Sequence, residues 1–283
     1  MKFKSLPILY TAAALIAFAG NSVVTRLALG HAAIDPASFS TVRLAGGAGM
    51  LLLVSIATQT ERFRLRGSWL SAAILFLYAV PFSFAYVSLS AGTGALILFG
   101  SVQITMLLAA LRLGERPHLV QWVGLGCALA GLIYLMLPGL AAPSIPGSML
   151  MASAGISWGL YSLRGRGAGS PLTQTTGNFV RALPLAIVVS LIARSGAHAS
   201  RSGMILAVAC GAVTSGLGYV LWYSALRSMT ATRAAVVQLM VPVLAAAGGV
   251  IFLGETISSR LIVSASTVLG GIALALVGGK RFG

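Results

Sequence analysis

The chain contains few charged residues, and acidic residues are especially scarce. Only 8% of its 283 residues are charged, and the four acidic ones are Asp35, Glu61, Glu115 and Glu255. Soluble domains average about 25% charged residues, so this composition does not fit a soluble protein. All four carboxylates fall in predicted loops or at the ends of apolar segments. This placement excludes a buried carboxylate pair for acid–base catalysis and an acidic metal site.

Other groups that carry chemistry are also scarce. The three histidines, His31, His118 and His198, fall in predicted loops, and the three lysines lie near the termini. An intramembrane serine hydrolase needs a histidine or lysine beside its serine, and the chain has no Gly-Lys-Ser/Thr motif for binding phosphate. We therefore expect a protein that is not an enzyme and has no metal or cofactor. Cys127 and Cys210 lie in apolar stretches, which favours small buried side chains over a disulfide.

Long apolar runs dominate what is present. Hydrophobic residues make up 58% of the chain, and its mean hydropathy is +0.96. A membrane-spanning helix needs about 20 mainly apolar residues, and the chain has room for ten with short connections. The sequence therefore predicts an all-α integral membrane protein with ten transmembrane helices. The predicted spans are residues 6–29, 37–57, 69–90, 93–111, 119–137, 147–163, 172–193, 203–226, 234–253 and 260–278.

The basic residues indicate an orientation rather than a nucleic-acid partner. The net charge is +15, but the 19 basic residues form no continuous patch, as a nucleic-acid footprint would require. With the N-terminus inside, thirteen of them fall in cytoplasmic segments and three in outer loops. Short cytoplasmic loops are enriched in Lys and Arg. We therefore predict cytoplasmic termini and the lipid bilayer as the partner surface.

The first apolar segment also has the features of a signal peptide. Lys2 and Lys4 precede an apolar run that reaches Ala17-Phe18-Ala19, a pattern suited to cleavage. Cleavage there would remove the first helix of the first half and leave the second half unmatched. The apolar run also continues well beyond the candidate site, so the sequence favours a retained span.

A short motif occurs twice and divides the chain into halves. Leu113-Gly114-Glu115 reappears 140 positions later as Leu253-Gly254-Glu255, and each copy ends a long apolar stretch. The spacing indicates an internal repeat, with halves at residues 1–140 and 141–283. Five spans in each half make the second copy enter the membrane from the opposite side. Inverted repeats of this kind are typical of secondary transporters.

The same motif carries a resemblance to a known family. Val241-Pro242-Val243, followed by small residues and Leu253-Gly254-Glu255, resembles the penultimate helix and Gly-Glu signature of the EamA branch of the drug/metabolite transporter superfamily. Gly20-Asn21 and Trp158-Gly159 resemble the segment that opens each half. The first half departs from the pattern, with Val102 at the place of the proline and Ala19 at that of a tryptophan. The run from Gly100 to Gln103 most resembles YddG-type exporters of aromatic amino acids. The resemblance implies an inner-membrane exporter of small molecules, including toxic compounds.

Polar and aromatic residues inside the spans suggest where a substrate binds. Phe18, Asn21, Ser22 and Thr25 share one helix face, which we expect to line a cavity because polar groups in hydrocarbon usually face a bundle interior. The alternative is that Asn21 only bonds a neighbouring helix. Adding 140 to Phe82 gives Trp222, so these rings are predicted to face each other, with packing alone as the alternative. The predicted substrate-binding residues are Asn21, Ser22, Tyr78, Phe82, Phe99, Gln103, Trp158, Tyr161, Trp222 and Gln238.

Prolines and arginines within spans have less specific interpretations. Pro81, Pro184 and Pro242 each remove a backbone donor, and Pro81 and Pro242 are predicted to allow helix bending, although membrane helices also tolerate prolines without any such role. Arg43 and Arg181 occupy similar places in the second span of each half. We expect both to extend to the membrane interface rather than bind substrate.

The sequence thus predicts a carrier that exports small neutral or zwitterionic metabolites by alternating access through a central cavity. Aromatic and other amino acids are the expected substrates. Two alternatives belong to different classes. One is a membrane-embedded enzyme or lipid-handling protein that uses the same cavity, and the other is a structural scaffold, which polar residues inside the spans disfavour.

Overall fold

The computed structural model describes residues 5–58, 65–112, 119–137, 142–165, 170–226 and 237–281. Ten long helices account for most of these residues. A lone antiparallel bridge between Ile34 and Ala199 is the only β-pairing in these ranges. The helices are α1 Ser5–Gly30, α2 Pro36–Thr58, α3 Trp69–Tyr86, α4 Ala91–Arg112, α5 Leu119–Met136, α6 Ile145–Gly165, α7 Pro171–Ile192, α8 Arg201–Leu226, α9 Met240–Leu253 and α10 Ser259–Arg281.

Each predicted apolar segment overlaps one of these helices, with ends that differ by a few residues, and local capping explains several of the boundaries. Asp35 accepts hydrogen bonds from the amides of Ala37 and Ser38 and so begins α2, with Pro36 at the first helical position. Helix α3 ends at Tyr86, earlier than predicted, because the chain turns before Ser90. The Ser90 hydroxyl accepts a hydrogen bond from the Thr93 amide, which favours a new helix start there.

The bundle is apolar outside and partly polar inside. Large apolar side chains such as Ile8, Ile192 and Phe252 are more than two-thirds exposed, whereas Asn21 and Arg43 are buried. This inverted pattern is typical of a protein whose exterior contacts lipid. Five helices, α1, α2, α3, α7 and α8, are long and apolar enough to cross a membrane by length and composition.

Helix pairing follows the division into two halves. Helix α1 packs against α8 and α9, and its counterpart α6 packs against α3 and α4. Helix α2 packs against α7 and α8, while α7 packs against α2 and α3. The pairs α4–α9 and α5–α10 each join equivalent helices. Exchanging the halves therefore leaves these closest pairings unchanged, and the centre of the bundle lies between the halves.

Helix α8 is irregular where it meets α2. Residues Cys210–Leu217 form a π-helical segment within it. Gly211 lies so close to the backbone carbonyl of Arg43 that a methyl group at position 211 would collide with that carbonyl. The glycine therefore permits direct backbone contact between α2 and α8. Single π-helical turns are frequently found at functional sites.

Candidate functional site

A small pocket lies at mid-helix level between the two halves of the bundle. Its volume for water-sized molecules is about 10 Å³, room for about one water, so an amino acid can enter only if the surrounding helices move apart. Six of the ten predicted substrate-binding residues line it. The lining residues are Phe18, Asn21 and Ser22 of α1, Tyr78 and Phe82 of α3, Leu98 and Phe99 of α4, and Trp158 of α6.

Aromatic rings form most of the pocket wall, and Trp158 is at their centre. Its ring centroid lies 5.7 Å from that of Phe18 and 5.0 Å from that of Tyr78. Behind it lies Tyr219 of α8, at 4.7 Å. Tilted and edge-to-face contacts at these distances are favourable. The wall therefore presents faces and edges against which an aromatic substrate can pack.

A polar network crosses the rings from α1 to α2. The Asn21 amide donates a hydrogen bond to the Tyr78 hydroxyl at 3.0 Å, and Arg43 Nη2 donates to the same oxygen at 3.1 Å. Arg43 Nε donates to Ser215 Oγ in the π-helical segment. The Cys210 thiol donates to Asn21 Oδ1 at 2.9 Å. Four helices are thus joined through neutral groups and one cation.

Arg43 does not extend to the interface, so the prediction for this residue was wrong. Its side chain is only 1% exposed, and its guanidinium carbon lies 4.8 Å from the Phe82 ring centroid and 5.3 Å from that of Tyr78. The rings and the two hydrogen bonds hold the cation inside the bundle because a guanidinium stacks well on aromatic faces. Arg181, in contrast, donates to the carbonyl oxygens of Arg66 and Gly177 near the start of α7.

The other predicted substrate-binding residues lie outside the pocket. Gln103 and Gln238 are buried on α4 and just before α9. Trp222 packs edge-on against Phe18 at 5.7 Å and does not line the pocket with Phe82. Tyr161 stacks on Trp158 at 5.9 Å. Of the two prolines predicted to allow bending, Pro242 is buried and Pro81 is partly buried within α3.

Tyr161 belongs instead to a second pocket, at the end of the bundle where α3 and α7 begin. Asn178 donates to the Tyr161 hydroxyl at 3.2 Å and accepts from the Ser68 amide at 3.0 Å. Arg164 Nε donates to the Ser71 hydroxyl at 3.2 Å. This pocket has a volume of about 20 Å³ for water-sized molecules. The ring of Tyr161 lines it and stacks on Trp158, which lines the first pocket. We call this region the Arg164 end.

The opposite end of the bundle is held by a carboxylate. Glu255 accepts hydrogen bonds from the Ala91 amide at 2.9 and 3.1 Å and pairs with Arg26 Nε at 3.3 Å. Arg26 Nη1 also donates to the carbonyl oxygens of Tyr86 and Val87. Gly254 ends α9 in the left-handed conformation, with φ of 63°, which turns Glu255 back toward α4. We call this region the Glu255 end; the first copy of the motif, with Glu115, lies outside the described residues.

Asp35 holds two loops together at the same end. Besides capping α2, its carboxylate accepts from the His198 amide at 3.1 Å, and the Asp35 amide donates to the His198 carbonyl. Burial alone would raise the pKa of Asp35, but hydrogen bonds from Ser38, His198 and Ala37 outweigh it and lower the pKa below 3.8. Asp35 and Glu255 lie at helix ends, as predicted; Glu61 and Glu115 lie outside the described residues.

The pocket offers aromatic rings and neutral polar groups that can bind a small molecule. In the described ranges, no three His, Cys, Asp or Glu side chains are grouped so that they could hold a metal ion. The residues that sequence reasoning missed are Arg43, Cys210 and Ser215, all near the contact between α2 and α8. One signal was available, because an arginine inside an apolar span is rare enough to suggest function by itself.

A comparison with protein families gives two matches within the chain. The sequence model of the EamA-like transporter family matches residues 5–137 and again residues 145–277. The chain is also similar in fold to a solved crystal structure, with a TM-score of 0.68 and 20% identity, over 96% of this chain and 99% of the other.

Three relatives illustrate the range of similarity. An uncharacterized protein of Pseudomonas aeruginosa is 49% identical over 269 residues, covering 95% of this chain and 94% of its own. The threonine/homoserine exporter RhtA of Escherichia coli K12 is 30% identical over 177 residues, which cover 61% of this chain and 58% of RhtA. A probable amino-acid metabolite efflux pump of Salmonella typhimurium is 24% identical over 216 residues, covering 71% and 72%.

Proposed function

The chain belongs to the EamA-like transporter family, and we propose that it exports amino acids, aromatic ones included, by alternating access. The observation that carries this proposal is the pocket between the halves, which α1, α3 and α4 of the first half and α6 of the second half line with rings and neutral polar groups. Rings can stack on an aromatic side chain, and amide and hydroxyl groups can bond an ammonium or carboxylate. Similarity to RhtA, a threonine/homoserine exporter, and to a probable amino-acid metabolite efflux pump supports amino acids as the substrate class.

We further propose ten membrane spans arranged as two inverted repeats, residues 1–140 and 141–283. The closest helix pairings are unchanged when the halves are exchanged, and this supports the arrangement. Inverted halves place the site at their interface, and rocking of one half against the other exposes it to either side. By the distribution of basic residues, the Arg164 end faces the cytoplasm and the Glu255 end faces outward across the inner membrane.

Transport by the purified protein tests the main proposal. Labelled phenylalanine, tryptophan and threonine are offered to proteoliposomes that contain only this chain, with empty liposomes as the control. We expect saturable uptake of at least one amino acid, and substitution of Trp158 by Ala should reduce it because that ring forms the centre of the wall. Uptake equal to that of empty liposomes for all three amino acids would contradict the proposal.

Orientation can be tested with single cysteines. Gly196→Cys, in the exposed turn after α7, reports on the Glu255 end, and Glu115→Cys reports on the opposite side, both in a chain whose Cys127 and Cys210 are replaced by alanine. A membrane-impermeant thiol reagent added to intact cells should label only Gly196→Cys. Labelling of both from one side would contradict the inverted arrangement.

Aromatic selectivity is assigned to Phe82 in the pocket and to Trp222 behind Phe18. Each Ala variant should lose transport of phenylalanine more than transport of threonine, because only an aromatic substrate can stack on Phe82 or on Phe18, the ring that Trp222 packs against. Equal losses for both substrates would assign the two rings to packing.

We also propose that transport is driven by the substrate gradient alone. The four acidic residues and three histidines fall outside the predicted spans, and arginine stays protonated, so no group suited to carry a proton lies near mid-membrane. The test is accumulation of a neutral amino acid with and without an imposed pH gradient. Accumulation that depends on this gradient and collapses with a protonophore would contradict uncoupled transport.

A further inference from the structure

Arg43 is a buried cation whose counter-charge is missing from the described part of the chain. The two carboxylates described there are engaged elsewhere, Asp35 with loop amides and Glu255 with Arg26 and the Ala91 amide. Among the described residues, the Arg43 side chain donates hydrogen bonds only to the neutral hydroxyls of Ser215 and Tyr78. Burying a charge without an opposite charge is costly, so buried charges are usually paired. An anion from outside the chain would supply what is missing.

Unused donors on Arg43 and in the aromatic cluster around the pocket point to the same kind of ligand. Arg43 Nη1 is buried and has no hydrogen-bond partner among the described residues, and the same is true of the indole nitrogens of Trp158 and Trp222. These atoms can donate and cannot accept. A carboxylate is the complementary group because its two oxygens only accept, and a guanidinium binds it through paired, charge-assisted bonds.

The cation is also within reach of the pocket. The guanidinium lies over the rings of Tyr78 and Phe82, and these same rings line the pocket, so one layer of side chains separates the two. The pocket has room for about one water and must widen before any amino acid enters. Displacement of the two rings during that widening would expose Arg43 to the pocket. On its other side, Ser215 in the π-helical segment fixes the guanidinium through Nε and leaves Nη1 available.

We propose that Arg43 binds the carboxylate of the transported substrate and so makes the protein selective for carboxylate-bearing molecules over neutral analogues of the same shape. The inference rests on the proposed function for the identity of the substrate, because amino acids carry this carboxylate. Aromatic rings then contact the side chain, while Asn21 and Arg43, joined through the Tyr78 hydroxyl, bind the polar end.

The first test uses the unmodified full-length chain and four ligands. Titration calorimetry compares L-phenylalanine with L-phenylalaninamide, which keeps the ring and ammonium but lacks the carboxylate. It also compares phenylacetate, which keeps the ring and carboxylate but lacks the ammonium and is one carbon shorter. Sodium chloride is titrated separately to detect an inorganic counter-ion. We expect phenylalanine to bind about 10- to 100-fold more tightly than its amide, as hydrogen bonds to charged groups imply.

Variants then assign the preference to Arg43. Arg43→Gln should weaken phenylalanine binding about 10- to 100-fold and leave binding of the amide unchanged, while Arg43→Lys should retain part of the preference. Arg181→Gln is the matched control, because Arg181 is the cation in the second helix of the other half and bonds only backbone carbonyls among the described residues. It should keep the full preference. If Arg43→Gln fails to elute as a folded monodisperse protein, the proposal is tested by comparing phenylalanine with its amide in the unmodified chain and in Arg43→Lys.

Each outcome bears on one of the two proposals. Equal binding of phenylalanine and its amide by the unmodified chain overturns the role of Arg43, even where amino-acid transport is observed. Chloride binding that depends on Arg43 and does not compete with phenylalanine also overturns it, because the counter-ion is then a resident halide. Binding of phenylacetate that is lost in Arg43→Gln, without binding or transport of amino acids, refutes the proposed function and supports a carboxylate site.

Discussion

The two ends of the bundle are closed by different kinds of contact. At the Glu255 end, one carboxylate and one guanidinium join α1, α9 and the turn between α3 and α4. At the Arg164 end, neutral groups and backbone carbonyls join α3, α6 and α7, and the cations there bond no carboxylate among the described residues. The difference implies that separating helices at the Arg164 end breaks fewer charged contacts. We therefore expect the Arg164 end to open at a lower free-energy cost than the Glu255 end.

Removing the carboxylate at the Glu255 end should have the largest effect. Glu255→Gln leaves Arg26 without its ion partner and weakens the bonds from the Ala91 amide. Because both side chains are mostly buried, at 26% and 17% exposure, we expect a loss of about 1–3 kcal/mol in the free energy of unfolding. Unfolding in detergent, followed by circular dichroism over a denaturant series, measures it.

A double-mutant cycle separates the ion pair from the bonds to Ala91. Arg26→Gln combined with Glu255→Gln should cost less than the sum of the two single changes. Strict additivity would show that Arg26 and Glu255 do not stabilise each other, and the charged contact would then no longer distinguish the two ends.

Gly254→Ala should have the next largest effect on stability, since it disturbs the turn that orients Glu255 toward α4. A residue with a side chain is strained at φ of 63°, and we expect a loss of about 1–2 kcal/mol in the free energy of unfolding. Gly49→Ala is the matched control, because nothing surrounds that exposed position within α2. The control should be neutral or slightly stabilising, since alanine favours helices. A similar loss in both variants would refute the role of the turn.

Asp35 should make stability at the Glu255 end depend on pH. Its folded-state pKa is lowered, so its contribution is fully present above the unfolded-state value of 3.8 and disappears as pH falls through the lower folded-state pKa. The melting temperature of the unmodified chain should therefore fall in acid more steeply than that of Asp35→Asn, which keeps a capping side chain. If the melting temperatures of the two proteins fell equally as the pH is lowered below 3.8, the pH-dependent role of Asp35 would be contradicted.

Arg164→Gln should have the smallest effect. This residue makes one hydrogen bond to Ser71 in an exposed setting, so we expect a change within about 0.5 kcal/mol. A loss as large as that of Glu255→Gln would show that the two ends resist opening equally. The same denaturant series measures both variants side by side.

Much of the fold follows from the sequence because it depends on local hydropathy. Apolar runs long enough to span a membrane predicted ten helices, and charged residues bounded them. The Gly-Glu motif was also recognisable, and its glycine is needed for a left-handed turn. The role of Glu255 was not predictable, because Arg26 and Ala91 lie 229 and 164 positions away along the chain.

The candidate site could be predicted only in part for the same reason. Helix-face periodicity identified Asn21 and Ser22, which line the pocket. Arg43 was misassigned because its side chain is long enough either to reach the interface or to stay inside, and its partners decide which. Ser215 is 172 positions away and lies in a π-helical segment, which packing rather than local propensity creates.

The thiol of Cys210 gives the protein a built-in reporter of its own motion. The chain has only two cysteines. Cys210 is buried where α8 contacts α1, and its thiol donates a hydrogen bond to Asn21, whereas Cys127 is partly exposed on α5. A thiol reagent can reach Cys210 only while the contact between those helices is broken. With Cys127 replaced by alanine, the rate at which the reagent modifies Cys210 would therefore measure how often the otherwise native protein opens at its centre. A substrate that holds the protein open or shut would change that rate.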